Sequence, residues 1–307
     1  MLFGLNLKPR PLPPRIEHPF KLHANGIEIV AQAFGNPRDP AVLLIMGANA
    51  PMMRWPESLC LRIAAAGRYV IRYDNRDTGQ STPFRAGAPG YDIRDLAQDA
   101  VAVLDFYGVD KAHVAGFSMG GMIVQHLAIY HSDRVLSALI SSSSPDPFSI
   151  ARGDEEDALS LPWPKALEMI EFLAGVDWTD YVAAIDAWVF EELLLLGSGD
   201  DVDEKATREI ITEVVRYAKT IDSHRINHPI AVANTPRWRG DLRHINVPTL
   251  VLHGMDDAAL PIDHGRAIAR EIPNAEIIEV EGMGHIIAPR SPYWLLFADT
   301  LIDHSAR

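Results

Sequence analysis

Ala112-His113-Val114-Ala115-Gly116-Phe117-Ser118-Met119-Gly120-Gly121-Met122-Ile123-Val124-Gln125 is the stretch whose reading decides the fold. A short apolar run, Val114-Ala115, leads into Gly-x-Ser-x-Gly at 116–120, and an apolar-periodic stretch follows at once. With a strand before it and a helix after it, this pattern puts the serine on a sharp, strained turn. Gly116 and Gly120 lack the β-carbon that would collide with the chain as it reverses. The Ser118 hydroxyl is then held out at the carboxyl edge of a sheet, with the first amides of the new helix pointing towards it. Ser118 is therefore the expected nucleophile.

Outward from this turn, short apolar runs alternate with helical spacing. Strands are expected over Ala41–Met46, Tyr69–Tyr73, Val135–Ser141, Thr249–Leu252 and Glu276–Val280, after a hairpin turning at Asn25-Gly26. Helices are expected over Asp92–Tyr107, from the nucleophile turn to about Tyr130, over His264–Glu271, and from Tyr293 to Ile302. That alternation predicts the α/β class, a mostly parallel sheet with helices on both faces. Between Ser141 and Asn246 the β rhythm stops, and helical stretches take over at Trp163–Leu173, Trp178–Leu196 and Asp203–Ile221. The expected organisation is an extended arm over 1–16 (Pro9, Pro11, Pro13, Pro14), a core over 17–144 and 247–307, and a helical cap over 145–246. The cap would lie over the sheet edge where ligands of open α/β sheets bind.

Composition excludes several classes of function. With 28 Lys and Arg against 41 Asp and Glu, the net charge of −13 argues against nucleic acid or an anionic membrane as partner. Cys60 is the only cysteine, so no internal disulfide and no oxidising compartment is implied. No run of about 18 apolar residues is present, and the first residues lack a secretory leader, so a cytoplasmic protein is expected. A homo-oligomer remains open. The strand–helix turns carry no Gly-x-Gly-x-x-Gly fingerprint, and no cofactor is expected.

A serine hydroxyl needs an adjacent base, usually a histidine oriented by a carboxylate, and in this kind of fold the chain order is Ser, acid, His. Two loops supply the partners, each after a resumed strand: His253-Gly254-Met255-Asp256-Asp257-Ala258-Ala259-Leu260-Pro261, and Glu281-Gly282-Met283-Gly284-His285. His285 is the expected base; on the residues alone Asp256 and Asp257 both qualify as its orienting acid. An oxyanion hole requires one amide after the nucleophile, that of Met119, and one from the loop after an earlier strand, for which the Ala48 amide is the candidate. Trp163, Trp178, Trp188, Phe190 and Trp238 either line an apolar substrate pocket or form the cap's own core; Trp163, Trp188 and Trp238 are the candidate substrate contacts. Leu193-Leu194-Leu195-Leu196 is expected between cap and sheet. His224 and His228 have i, i+4 spacing, yet Pro229 follows and no acidic residue completes a set, so no metal site is expected. Asp74, Arg76 and Asp77 read as a structural ion-pair and turn cluster.

These residues resemble the α/β-hydrolase superfamily over about 19–144 and 247–304. Leu44-Ile45-Met46-Gly47-Ala48-Asn49, Trp55-Pro56, Arg72-Tyr73-Asp74-Asn75-Arg76-Asp77-Thr78-Gly79-Gln80-Ser81 and Gly116-Phe117-Ser118-Met119-Gly120-Gly121 resemble its aclacinomycin methylesterase group, whose members hydrolyse a carboxylic methyl ester on a polyketide. The resemblance implies an eight-stranded, mostly parallel sheet, Ser118 as nucleophile, His285 as base and Asp257 as orienting acid. It also implies the Ala48 and Met119 amides as oxyanion donors. Many superfamily members have His-Gly where this chain has Met46-Gly47; the methylesterase-like group shares the Met. The expected partner is a small-molecule substrate, an apolar ester or lactone. A lactonase, an acyltransferase or a perhydrolase would use the same residues, whereas a non-catalytic receptor on this fold would usually lack one of the three.

Overall fold

The computed structural model describes residues 15–149 and 158–306. Residues 1–14 of the expected arm and 150–157 of the expected cap lie outside the described residues. Arg15 and Ile16, the end of that arm, pair with the strand edge: Gly35 N donates to Arg15 O, and Ile16 bridges Phe34.

Among the described residues, eight strands form a single sheet: β1 (Phe20–Ala24), β2 (Ile27–Phe34), β3 (Ala41–Ile45), β4 (Tyr69–Tyr73), β5 (Ala112–Phe117), β6 (Val135–Ser141), β7 (Thr249–Gly254) and β8 (Glu276–Val280). Their spatial order is β1-β2-β4-β3-β5-β6-β7-β8. β1 and β2 form a hairpin whose turn residues, Asn25 and Gly26, both take positive φ (53° and 77°), as a tight two-residue turn requires. β2 is antiparallel to β4, and every later pairing is parallel.

Burial on both faces explains the unbroken apolar runs. Leu43 and Ile45 of β3 pack with one core cluster, while Val42 and Leu44 pack with the other. The first face is covered by α2 (Ile93–Phe106), α3 (Met119–Tyr130) and α8 (Ile262–Glu271), the second by α1 (Glu57–Ala65) and α9 (Tyr293–His304). Helix α2 begins where Asp92 and Asp95 form a reciprocal capping box. Each fully buried Leu or Ile in these layers contributes roughly 1.5–3 kcal/mol.

Among the described residues, four α-helices lie between β6 and β7: α4 (Pro164–Ala174), α5 (Tyr181–Leu194), α6 (Glu204–Tyr217) and α7 (Asp222–Asn234). The first three match the expected helical stretches to within a few residues. The fourth is not anticipated by the sequence reading, because Pro229 lies inside it and its first half, Asp222-Ser223-His224-Arg225-Ile226-Asn227-His228, is largely polar. Helix α5 also stops at Leu194, so Leu195 and Leu196 enter the following loop, both buried.

Candidate active site

Ser118 sits between β5 and α3 with φ 54° and ψ −119°, a backbone conformation costing on the order of 1–3 kcal/mol for a non-glycine residue. The glycines around it make this turn possible. A β-carbon on Gly116 would lie 2.2 Å from Gly120 O, and one on Gly120 would lie 2.0 Å from Ile45 O. Helix α3 can therefore press against β5 and β3 only without side chains at both positions. Ser143 Oγ donates to Ser118 O at 2.8 Å, fixing the strained residue from β6's side. Ser118 remains partly exposed while its neighbours on both sides are buried.

The loops after β7 and β8 bring two further side chains to the same sheet edge. Ser118 Oγ lies 3.1 Å from His285 Nε2, and His285 Nδ1 lies 2.8 Å from Asp257 Oδ2. The carboxylate accepts the Nδ1 proton, leaving Nε2 as an acceptor for the serine hydroxyl. The other Asp257 oxygen accepts the amides of Ala259 (3.0 Å) and Leu260 (2.7 Å), which locks the carboxylate plane. His253 lies beneath, with Nε2 3.6 Å from Asp257 Oδ2, and donates to Leu260 O at 2.8 Å. Asp256 faces elsewhere: it is half-buried and its Oδ2 accepts from the amide and hydroxyl of Ser198.

Electrostatics favour a basic imidazole. Burial alone would lower the His285 pKa, but the Asp257 carboxylate, aided by Glu191 and Glu192, outweighs it and holds the ring above the ordinary histidine range. Burial likewise pushes Asp257 up, and the neighbouring imidazoles and the Leu260 amide bring it below the usual carboxylate value. Asp257 is thus a fixed anion behind His285.

The loop after β3, Met46-Gly47-Ala48-Asn49, approaches the turn closely. A β-carbon on Gly47 would meet Phe117 O and Ser118 Cβ, each at 3.1 Å. Asn75 Nδ2 donates to Met46 O at 3.2 Å and steadies the loop from β4's side. The amides of Ala48 and Met119 donate to no other group among the described residues.

A cavity of about 230 Å³ opens over Ser118 and His285, walled by Met46, Phe117, Met169, Trp188, Leu195 and Ile287. Most of the wall is apolar, but Arg54, Glu191, Glu192 and Arg225 also line it as ion pairs: Arg54 donates to Glu192 at 2.6 Å, and Arg225 pairs with Glu191. The Arg225 guanidinium is sandwiched between Trp178 and Trp188, 4.7 Å from each ring centroid.

Of the aromatic candidates, Trp188 alone lines this cavity. Trp238 does not: it is buried in the main core beside α3, donates Nε1 to Gln125 at 2.9 Å, and packs on His126. Trp163 does not either; it precedes α4, is 40% exposed, and anchors its own amide on Ala258 O. Phe190 meets Phe172 edge to face at the exposed side of the helices, and Trp178 supports Arg225. Helix phase separates Trp188 from Phe190, both in α5, whereas Trp163, Trp178 and Trp238 lie in the segments between helices, whose course sequence spacing does not reveal.

The cluster after β4 is structural in form. Asp74 accepts from Met52 N (2.7 Å), Gln80 N (2.9 Å) and Tyr217 Oη (2.9 Å), and burial raises its pKa to about 6. Arg76 forms a buried two-point pair with Asp99, at 2.6 and 2.9 Å. Asp77 accepts from Tyr91 and Asn227. No group of three or more His, Cys, Asp or Glu suited to a metal ion occurs among the described residues. No helix among them is long and apolar enough to cross a membrane.

Sequence comparison places this geometry among known proteins. The rhodomycin D methylesterase DauP of Streptomyces sp. (strain C5) is 35% identical over 275 residues, covering 85% of this chain and 90% of that one. The rhodomycin D methylesterase DnrP of Streptomyces peucetius is 34% identical over 271 residues, with the same coverage of 85% and 90%. Among solved structures, the esterase RhEst1 from Rhodococcus sp. ECU1013 superposes with a TM-score of 0.73 at 22% identity, covering 95% of this chain and 99% of that one. The α/β hydrolase fold family matches residues 40–289, and the chain belongs to that family.

Proposed function

We propose that the protein is a cofactor-independent serine hydrolase of carboxylic esters, acting on methyl or other small-alcohol esters of a bulky, largely apolar acid. The observation that carries this reading is the unbroken hydrogen-bonded line from Ser118 Oγ through His285 to Asp257 beneath the cavity. His285 Nε2 takes the Ser118 proton as Oγ attacks the ester carbonyl. The Ala48 and Met119 amides hold the developing oxyanion. Collapse breaks the bond to the alcohol, which leaves with the proton from His285. Water then gives a proton to His285 and attacks the acyl group, releasing the acid and restoring the Ser118 hydroxyl. The two rhodomycin D methylesterases, related over most of the chain, support an ester over an amide or halide. Helices α4, α5 and α7 act as a cap that shapes the acid side of the pocket, through Met169, Trp188 and Arg225.

A panel of methyl esters and p-nitrophenyl esters tests the reading. Wild-type protein is expected to cleave them and Ser118→Ala to lose cleavage at unchanged folding; wild-type rates in the variant would overturn it.

A further inference from the structure

Helix α7, whose histidines have metal-like spacing, touches the active-site loop at one residue through both of that residue's backbone polar groups. Asn49 N donates to His228 Nδ1 at 2.9 Å, and His224 Nε2 donates to Asn49 O at 2.5 Å. Asn49 itself takes positive φ (59°), the left-handed region that asparagine tolerates better than most residues. On its far side His228 Nε2 donates to Arg76 O at 2.7 Å, so this ring is spanned between two loops of the core. The hydrogen-bond partners dictate the ring states. His228 faces an amide with Nδ1 and a carbonyl with Nε2, so it is neutral with its proton on Nε2. Burial keeps both rings below the ordinary histidine pKa.

The contacts come from one helical face. His224, Asn227, His228 and Ala231, at i, i+3, i+4 and i+7, are all fully buried. Asn227 adds bonds to Asp77, Arg85 O and Gly87 N. The same His224 ring meets the edge of Trp188, the pocket wall, at 5.2 Å. Pocket wall, imidazole and Asn49 are thus in continuous contact, and Asn49 directly follows the Ala48 amide.

We propose that His224 and His228 are positioning residues for catalysis: they clasp Asn49 and so fix the Ala48 amide at the distance the transition state needs. This rests on the hydrolase reading above. The clasp touches neither the nucleophile nor its base, so its loss should be felt in the transition state and not in substrate binding. A misplacement of about 1 Å in a catalytic group can cost on the order of 100-fold in rate.

Asparagine and glutamine separate this role from simple packing, because each keeps only one of the two ring-nitrogen positions. His228→Asn retains an acceptor for Asn49 N and gives up the bond to Arg76 O; His228→Gln does the reverse. His224→Gln retains the donor to Asn49 O, and His224→Asn is too short to reach it. The expected result is a fall of about 10- to 100-fold in kcat, with KM within about threefold, for His228→Gln and His224→Asn. His228→Asn and His224→Gln should stay within about threefold of wild type in both constants. Equal kcat values within each pair, or losses that merely follow melting temperature, would overturn the clasp. ¹⁵N spectra of the wild-type imidazoles give a check that needs no variant, since a His228 proton on Nδ1 would also overturn it. Wild-type ester turnover distinguishes the levels: its absence overturns the hydrolase reading and the clasp with it, whereas turnover indifferent to the variants overturns the clasp alone.

Discussion

In the proposed mechanism Asp257 orients the base, and replacing it with asparagine removes that carboxylate almost without disturbing the fold. One oxygen, Oδ1, accepts the Ala259 and Leu260 amides, and an asparagine carbonyl serves there equally well. The amide NH₂ then occupies the Oδ2 position, 2.8 Å from His285 Nδ1. It can only donate, so His285 must carry its proton on Nε2 and present a donor, not an acceptor, to Ser118 Oγ. The imidazole is left in the wrong tautomer, and the imidazolium that forms on attack loses its buried counter-ion. The same change in other serine hydrolases of this geometry costs on the order of 10⁴ in kcat, or about 5.4 kcal/mol of activation free energy. Asp256→Asn provides the control: Asp256 is one residue away, faces Ser198 at the surface, and should leave kcat within about threefold. Steady-state cleavage of p-nitrophenyl acetate, with thermal melts of both variants, reads the outcome. Asp257→Asn retaining more than a tenth of wild-type kcat, or Asp256→Asn losing more than Asp257→Asn, would refute the reasoning.

The remaining predictions concern the field, the packing and the pocket. In the proposed mechanism His285 acts as a neutral base, and because its pKa is held above the ordinary histidine value, kcat/KM should rise with pH through an apparent pKa above that of a free histidine. Glu191→Gln removes a negative charge that favours the imidazolium, so this limb should move to lower pH; a shift to higher pH would contradict the assigned cause. Gly120→Ala drives a β-carbon to 2.0 Å from Ile45 O and should destabilise by on the order of 3 kcal/mol, seen as a melting temperature lowered by roughly 5 °C. An unchanged melt would show that α3 is not pressed on β3 as described. Trp188→Ala should raise KM for bulky-acid esters while leaving acetate esters nearly unaffected, and Trp238→Phe, which touches no cavity wall, should change neither constant.

Much of this arrangement was legible in the residues because local rules and global fold agree. The Gly-x-Ser-x-Gly turn announces its own strand and helix, and the Asn25-Gly26 hairpin and the Asp92 start of α2 need only neighbouring residues to be read. Loop position and the chain order Ser, acid, His together point Ser118 and His285 to one sheet edge. Asp256 and Asp257 could not be separated that way, since adjacent side chains in one loop point in different directions and only the folded loop decides which meets the imidazole. The pocket walls were harder still. Trp163, Trp188 and Trp238 carry the same apolar character, yet the placement of Trp188 depends on how α5 rotates against the core, and that of Trp163 and Trp238 on the course of the segments before α4 and after α7. Helix α7 was hidden by Pro229, yet it supplies His224 and His228, whose signal in the sequence was an i, i+4 pair on what proves to be the buried face. A pair of histidines at that spacing with no acidic partner points to backbone groups as well as to metals.

The account turns on the Ser118 oxygen being the atom that attacks. Treating the protein with a fluorophosphonate and mapping the adduct by peptide mass spectrometry tests this directly. The account predicts one phosphonyl group, on the peptide containing Ser118, appearing in step with the loss of ester cleavage and absent from Ser118→Ala. Ester cleavage that persists with Ser118 unlabelled, or is lost through an adduct on another residue, would contradict it.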